Sequence, residues 1–120
     1  MRNSNRLGCL EEIAVSKAED RHILSPGELE AFLAAHPQWL AVGEPEGLVL
    51  RRRFPFARYT AGLGFVVAAA EHAEAVDHHP DLTLGWRVVT ASLTTHVSKG
   101  VSRLDLDMAE TLDRLYPDHL

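Results

Sequence analysis

Between residues 48 and 56 the large apolar side chains Leu48, Leu50, Phe54 and Phe56 share one parity, broken only by Arg52, while Arg51 and Arg53 take the other. Side chains alternate across a strand, so this strand has one apolar face that something else must cover. Residues 39–42 supply a neighbouring strand, because Gly43, Pro45 and Gly47 mark a chain reversal between the two. The cover is a helix expected over residues 59–77, where Gly62, Phe65, Val66, Ala69, Ala73 and Val76 recur at three- and four-residue steps. Residues 82–95 are rich in Thr, Val and Leu and read as a second hairpin or one bent strand, with Val89, Ala91 and Leu93 on one side and a polar row ending at His96 on the other.

Two capping boxes frame this centre. Ser25-Pro26-Gly27-Glu28 starts a helix carrying Leu29, Phe32 and Leu33, which ends near His36-Pro37. Ser102-Arg103-Leu104-Asp105 starts another, with Val101 and Leu106 as a hydrophobic staple and a stripe of Leu104, Met108, Leu112 and Leu115 running to Tyr116-Pro117. The order is not βαβαβ, so the expected class is α+β: a two-layer, four-stranded antiparallel sheet covered on one face by helices, in the order α-ββ-α-ββ-α.

A chain of 120 residues fits one domain. It divides into residues 1–23, expected to be a loosely ordered extension, of which removing residues 1–21 should leave fold and activity nearly unchanged, and a domain over residues 24–120. A formal charge of −5 argues against a general nucleic-acid binder, and alternation along a strand splits the one basic run, Arg51-Arg52-Arg53, between two faces. Cys9 is the single cysteine, so neither an intrachain disulfide nor a Cys-x-x-Cys site is available. Residues 1–5 are polar with no apolar core behind them, and the longest apolar run, residues 65–70, is too short for a bilayer. A cytoplasmic protein without membrane contact is expected.

The chemistry is concentrated in about thirty residues holding Glu74, His78, His79, Pro80, Trp86, His96 and Asp105. Imidazoles beside carboxylates suit proton transfer near neutral pH or a metal site. Glu74 lies one helical turn before His78, and with the negative end of the helix dipole it would favour imidazolium there. Pro80 forces His79 toward an extended conformation, so the adjacent rings should diverge, which suits contact with different parts of a ligand better than joint coordination of one zinc ion. Asp105 also has a purely structural task as the N3 carboxylate of its capping box.

Glu-x-x-x-His-His-Pro, five residues, Trp86, nine residues, His96, eight residues and Asp105 together resemble the signature of the pterin-4a-carbinolamine dehydratase family. Leu24-Ser25-Pro26-Gly27-Glu28-Leu29, Trp39 and residues 50–56 extend the resemblance to roughly residues 24–115. Leu82 stands where many members carry a bulkier residue, and Asp77 where asparagine is common. The resemblance implies the same two-layer fold and the dehydration of a 4a-hydroxytetrahydropterin to quinonoid dihydropterin, without metal or cofactor, in recycling the cofactor of aromatic amino-acid hydroxylases. It implies His78, His79, His96 and Asp105 as the catalytic set, with His78 and His96 as the acid–base pair and Asp105 as an orienting carboxylate. Glu74, His79, Pro80 and Trp86 would bind the pterin. It also implies homodimers or homotetramers, and it leaves open a non-catalytic role as a dimerisation or assembly partner.

Overall fold

The computed structural model describes residues 20–120, so Cys9 and most of the expected extension lie outside the described residues. Helix α1 (Pro26–Ala35) starts at a complete capping box, in which the Ser25 hydroxyl accepts from the Glu28 N–H at 3.2 Å and the Ser25 N–H donates to Glu28 Oε1 at 3.1 Å. It stops at His36, whose N–H still reaches Phe32 O at 2.9 Å, because Pro37 disfavours a further helical turn. Strands β1 (Leu40–Glu44) and β2 (Gly47–Pro55) form the first hairpin. Helix α2 (Tyr59–Val76) follows, then β3 (Asp81–Leu84), β4 (Val88–Leu93), helix α3 (Arg103–Leu115) and a 3₁₀ turn, Tyr116–His119. The stretch from residue 82 is thus a hairpin and not a bent strand, and Gly85 N–H closes it onto Val88 O at 2.8 Å.

All pairings are antiparallel, in the sheet order β1-β2-β4-β3. The expected parity holds where it matters. Leu50 and Phe54 from β2 and Phe56 just after it are buried together with Val89, Ala91 and Leu93 from β4, and α2 lays Phe65, Ala69 and Ala73 against them. Burying a large apolar side chain contributes roughly 1.5–3 kcal/mol, so this face supplies the main drive for collapse. Gly62 lets α2 come close, since a Cβ there would lie 3.1 Å from a Leu84 methyl group. Leu48 shares the parity but is mostly uncovered at the hairpin end.

Arg52, the exception in the pattern, points inward. Its Nη1 donates to Asp113 Oδ1 of α3 at 2.6 Å, Trp39 Nε1 donates to the same carboxylate at 3.0 Å, and the guanidinium lies 4.2 Å from the Phe54 ring centroid. A buried charge persists when it is paired in this way. At the domain's start Ile23 bridges Ser102, Leu24 N–H donates to Val101 O at 3.0 Å, and the Arg21 carbonyl accepts from the Ser98 hydroxyl. Contacts with the connection between β4 and α3 therefore begin by residue 21. Among the described residues no helix is long and apolar enough to cross a membrane.

Candidate active site

The site lies where the end of α2, the end of β4 and the start of α3 meet. Helix α2 ends at Asp77, which adopts φ 53°, and His78 N–H folds back onto Ala73 O at 3.2 Å. His78 consequently stands just beyond the helix, not within its last turn. That displacement redistributes the carboxylates. Glu74 was expected to act on His78, but it pairs with His79, Oε2 lying 2.5 Å from Nε2, in a largely exposed contact. His78 turns inward instead, and its Nε2 lies 2.7 Å from Asp105 Oδ1. The two neighbouring rings do diverge, each toward its own carboxylate, as the extended backbone before Pro80 requires.

Asp105 is 0% exposed. Its Oδ1 accepts from His78, while Oδ2 accepts from Thr95 Oγ1 and from the Ser102 N–H, both at 2.9 Å. The helix-capping and histidine-orienting tasks, rivals in the sequence, are both performed, one by each oxygen. An ionised carboxylate only accepts, so with Asp105 ionised this contact calls for a proton on His78 Nε2.

His96 is not a strand end. It begins a tight turn in which Thr95 O accepts from Ser98 N–H at 3.0 Å and from Lys99 N–H at 2.9 Å, and Thr95 N–H donates to Gly100 O at 2.9 Å. Lys99 takes φ 57°, and its carbonyl lies against Gly47 at the tip of the first hairpin, where an added Cβ would sit 1.9 Å away. That backbone contact sets where the turn, and hence exposed His96, stands.

His78, His79 and His96 line one open cavity of about 290 Å³, with Asp77, Asp81 and Thr95 in its wall and Arg21 at its margin. Asp81, Thr94 and His96 also border a second hollow of about 380 Å³, which runs over the helix-free face of the sheet past Arg51 and Ser92. Asp105 does not line the cavity and touches it only through its contact with His78. Pro80 and Glu74 are beside the cavity without lining it. Trp86, expected in the pterin site, is elsewhere: it is 74% exposed in the β3–β4 turn, stacked by the Arg87 guanidinium at 5.0 Å, over a separate hollow with Arg53, Pro55 and Val88. Gly85-Trp86-Arg87 is the loop of a hairpin, and this directs the indole away from the histidines. Among the described residues no three His, Cys, Asp or Glu side chains are arranged to hold a metal ion.

Thr95, which bonds Asp105, drew no notice in the sequence, and Ser102 was read there only as a helix cap. The available signal was parity, since Thr95 follows Val89, Ala91 and Leu93 on the buried side of β4.

The two-layer α+β fold, in the order α-ββ-α-ββ-α, is shared with a pterin dehydratase of known structure. A solved structure titled as a transcriptional coactivator/pterin dehydratase from Brucella melitensis superposes with a TM-score of 0.73 at 32% identity, over 79% of this chain and 99% of that one. Residues 22–115 match the family described as pterin 4 alpha carbinolamine dehydratase, and the chain belongs to that family. A protein of Mycobacteroides abscessus provisionally named pterin-4-alpha-carbinolamine dehydratase is 42% identical over 91 residues, 76% of this chain and 93% of its own length. One of Mycolicibacterium smegmatis with the same provisional name is 38% identical, over 80% of this chain and 98% of its own. A pterin dehydratase-like protein titled as a RuBisCO assembly factor of the α-carboxysome is 25% identical, with a TM-score of 0.56 over 66% of this chain and 89% of that one.

Proposed function

We propose that this protein dehydrates a 4a-hydroxytetrahydropterin to the quinonoid dihydropterin. The observation that supports it is the convergence of His78, His79 and His96 on one cavity, with Asp105 hydrogen-bonded behind His78. The reaction transfers one proton to the 4a-hydroxyl and takes one from N5, so that the C4a–O bond breaks, C4a=N5 forms and water leaves. His78, with Nε2–H committed to Asp105, offers the Nδ1 lone pair to the N5 proton, and Asp105 compensates the imidazolium that forms. His96, whose ring has no hydrogen-bond partner among the described residues, delivers the other proton. Each transfer contributes roughly 10²–10⁴-fold. His79, tied to Glu74, binds and polarises the pterin. Neither step draws on a metal or cofactor.

In this reading the protein works in the cytoplasm as a homo-oligomer, recycling the tetrahydropterin of an aromatic amino-acid hydroxylase. The test is a coupled hydroxylase assay following decay of the 4a-carbinolamine. Decay that this protein does not accelerate would refute the reading.

A non-catalytic partner role has one observation in its favour. Helix α2 is apolar on both sides, burying Phe65, Ala69 and Ala73 while Tyr59, Leu63 and Val67 form an exposed stripe at four-residue steps. Such a stripe suits docking of another helix. Retention of partner binding in a variant without the histidines, and absence of dehydration in the wild type, would favour this role.

A further inference from the structure

We propose that Thr95 is a positioning residue for both halves of the histidine pair. This rests on the dehydratase reading for its kinetic consequence and on geometry for the rest. Thr95 is buried, 3% exposed, and its hydroxyl has one proton, which goes to Asp105 Oδ2 at 2.9 Å. The Ser102 hydroxyl, 2.6 Å away, must therefore donate to Thr95, because a hydroxyl has a single hydrogen to give. A directed chain results, from Ser102 Oγ–H to Thr95 Oγ1–H to Asp105 and from there to His78.

The Ser102 N–H contact belongs to the capping box and fixes Asp105 only relative to its own helix. Thr95 comes from the opposite element. It pins the plane of the carboxylate relative to the chain just after β4, so Oδ1 stays on His78 Nε2 and the ring keeps its orientation. The backbone of the same residue builds the turn that starts at His96, through its carbonyl to Ser98 and Lys99 and its N–H to Gly100. One residue thus ties the orientation of His78 to the position of His96. Neither histidine contacts the other's support directly.

The experiment compares wild type, Thr95→Val and Thr95→Ser. Valine keeps the shape and the backbone but removes the hydroxyl. Thr95→Val is expected to lower kcat on the order of tenfold to a hundredfold with KM little changed, since a general base loses its oriented tautomer and not its binding contacts. Thr95→Ser is expected to restore most of that turnover. Nitrogen-15 NMR of the His78 ring should report a single Nε2–H tautomer in wild type and Thr95→Ser, and a mixture in Thr95→Val. An unaltered His78 tautomer in folded Thr95→Val overturns the proposal, even if the melting temperature falls, because a merely structural threonine would move stability alone. Should Thr95→Val fail to fold, wild type decides: two His78 tautomers there, or a freely exchanging Thr95 hydroxyl proton, overturn it. If wild type shows no dehydration at all, the dehydratase reading fails, while the tautomer spectra still judge the positioning role.

Discussion

At the scale of the residue, Asp105 collects three donors on two oxygens while fully buried, and this decides what its amide replacement can do. The Ser102 N–H cannot reverse, so the oxygen of an asparagine must stay on that side and its NH₂ must face His78. His78 can then accept only by moving its proton to Nδ1, the nitrogen that the proposed mechanism uses as the base. Asp105→Asn is therefore expected to stay folded yet lose on the order of 10²-fold or more in turnover through the inverted tautomer. Stopped-flow turnover beside a thermal melt checks it, and wild-type turnover in the folded variant contradicts it. His78→Ala and His96→Ala should each cost on the order of 10²-fold, and the double variant far less than the product, because paired proton transfers are not additive. His79→Ala, which removes a contact to the bound pterin, is expected to raise KM more than it lowers kcat.

At the scale of the element, the turn after β4 depends on a neighbour remote in sequence. Gly47 takes φ 125°, and any Cβ there would collide with the Lys99 carbonyl, so Gly47→Ala is expected to cost more than the roughly 1–3 kcal/mol of backbone strain alone. Gly43, in the same hairpin, has nothing within 4 Å of its added Cβ, and Gly43→Ala should stay within about 0.5 kcal/mol of wild type. Urea unfolding measures both, and displaced His96 resonances in Gly47→Ala alone would tie the contact to the site. The α1 cap gives a pH dependence. The Ser25 N–H and then its hydroxyl hold the Glu28 carboxyl below the usual carboxylate range. A lowered folded value means that the ionised cap stabilises the protein above the unfolded value and that this stabilisation is lost as pH falls through the folded one. The melting difference between wild type and Glu28→Gln should accordingly be largest near neutrality and vanish in acid. A difference that grows in acid would contradict the assignment.

At the scale of the whole molecule, exposed apolar side chains collect on the outer stripe of α2 and at the sheet edge, where Leu40 on β1 is largely uncovered. Exposed apolar side chains in such places suit association, and the protein is expected to be at least dimeric. Light scattering at micromolar concentration should give at least twice 13.3 kDa, and Leu63→Glu with Val67→Glu should lower it. A wild-type mass of one chain would remove the expectation.

Local periodicity and turn chemistry were legible in the chain itself. A period of two marked β2, steps of three and four marked α2, and two Ser-x-x-acid boxes marked the starts of α1 and α3, because each signal depends only on residues a few positions apart. The intervals from Glu74 to Asp105 likewise carried the resemblance to the family. Which carboxylate serves which histidine was not legible. Sequence proximity favoured Glu74 for His78, but the left-handed turn at Asp77 swings His78 off the helix toward a carboxylate 27 residues away. Arg52 is settled in the same way, by Asp113 on α3, a partner 61 residues distant. Trp86 fits the family spacing, yet its place in a hairpin loop carries it away from the cavity. Thr95 matters because β4 and α3 bring its hydroxyl and the Asp105 carboxylate together. Such meetings are created by packing two helices onto one sheet face, which depends on the whole apolar surface at once and on no short stretch of chain.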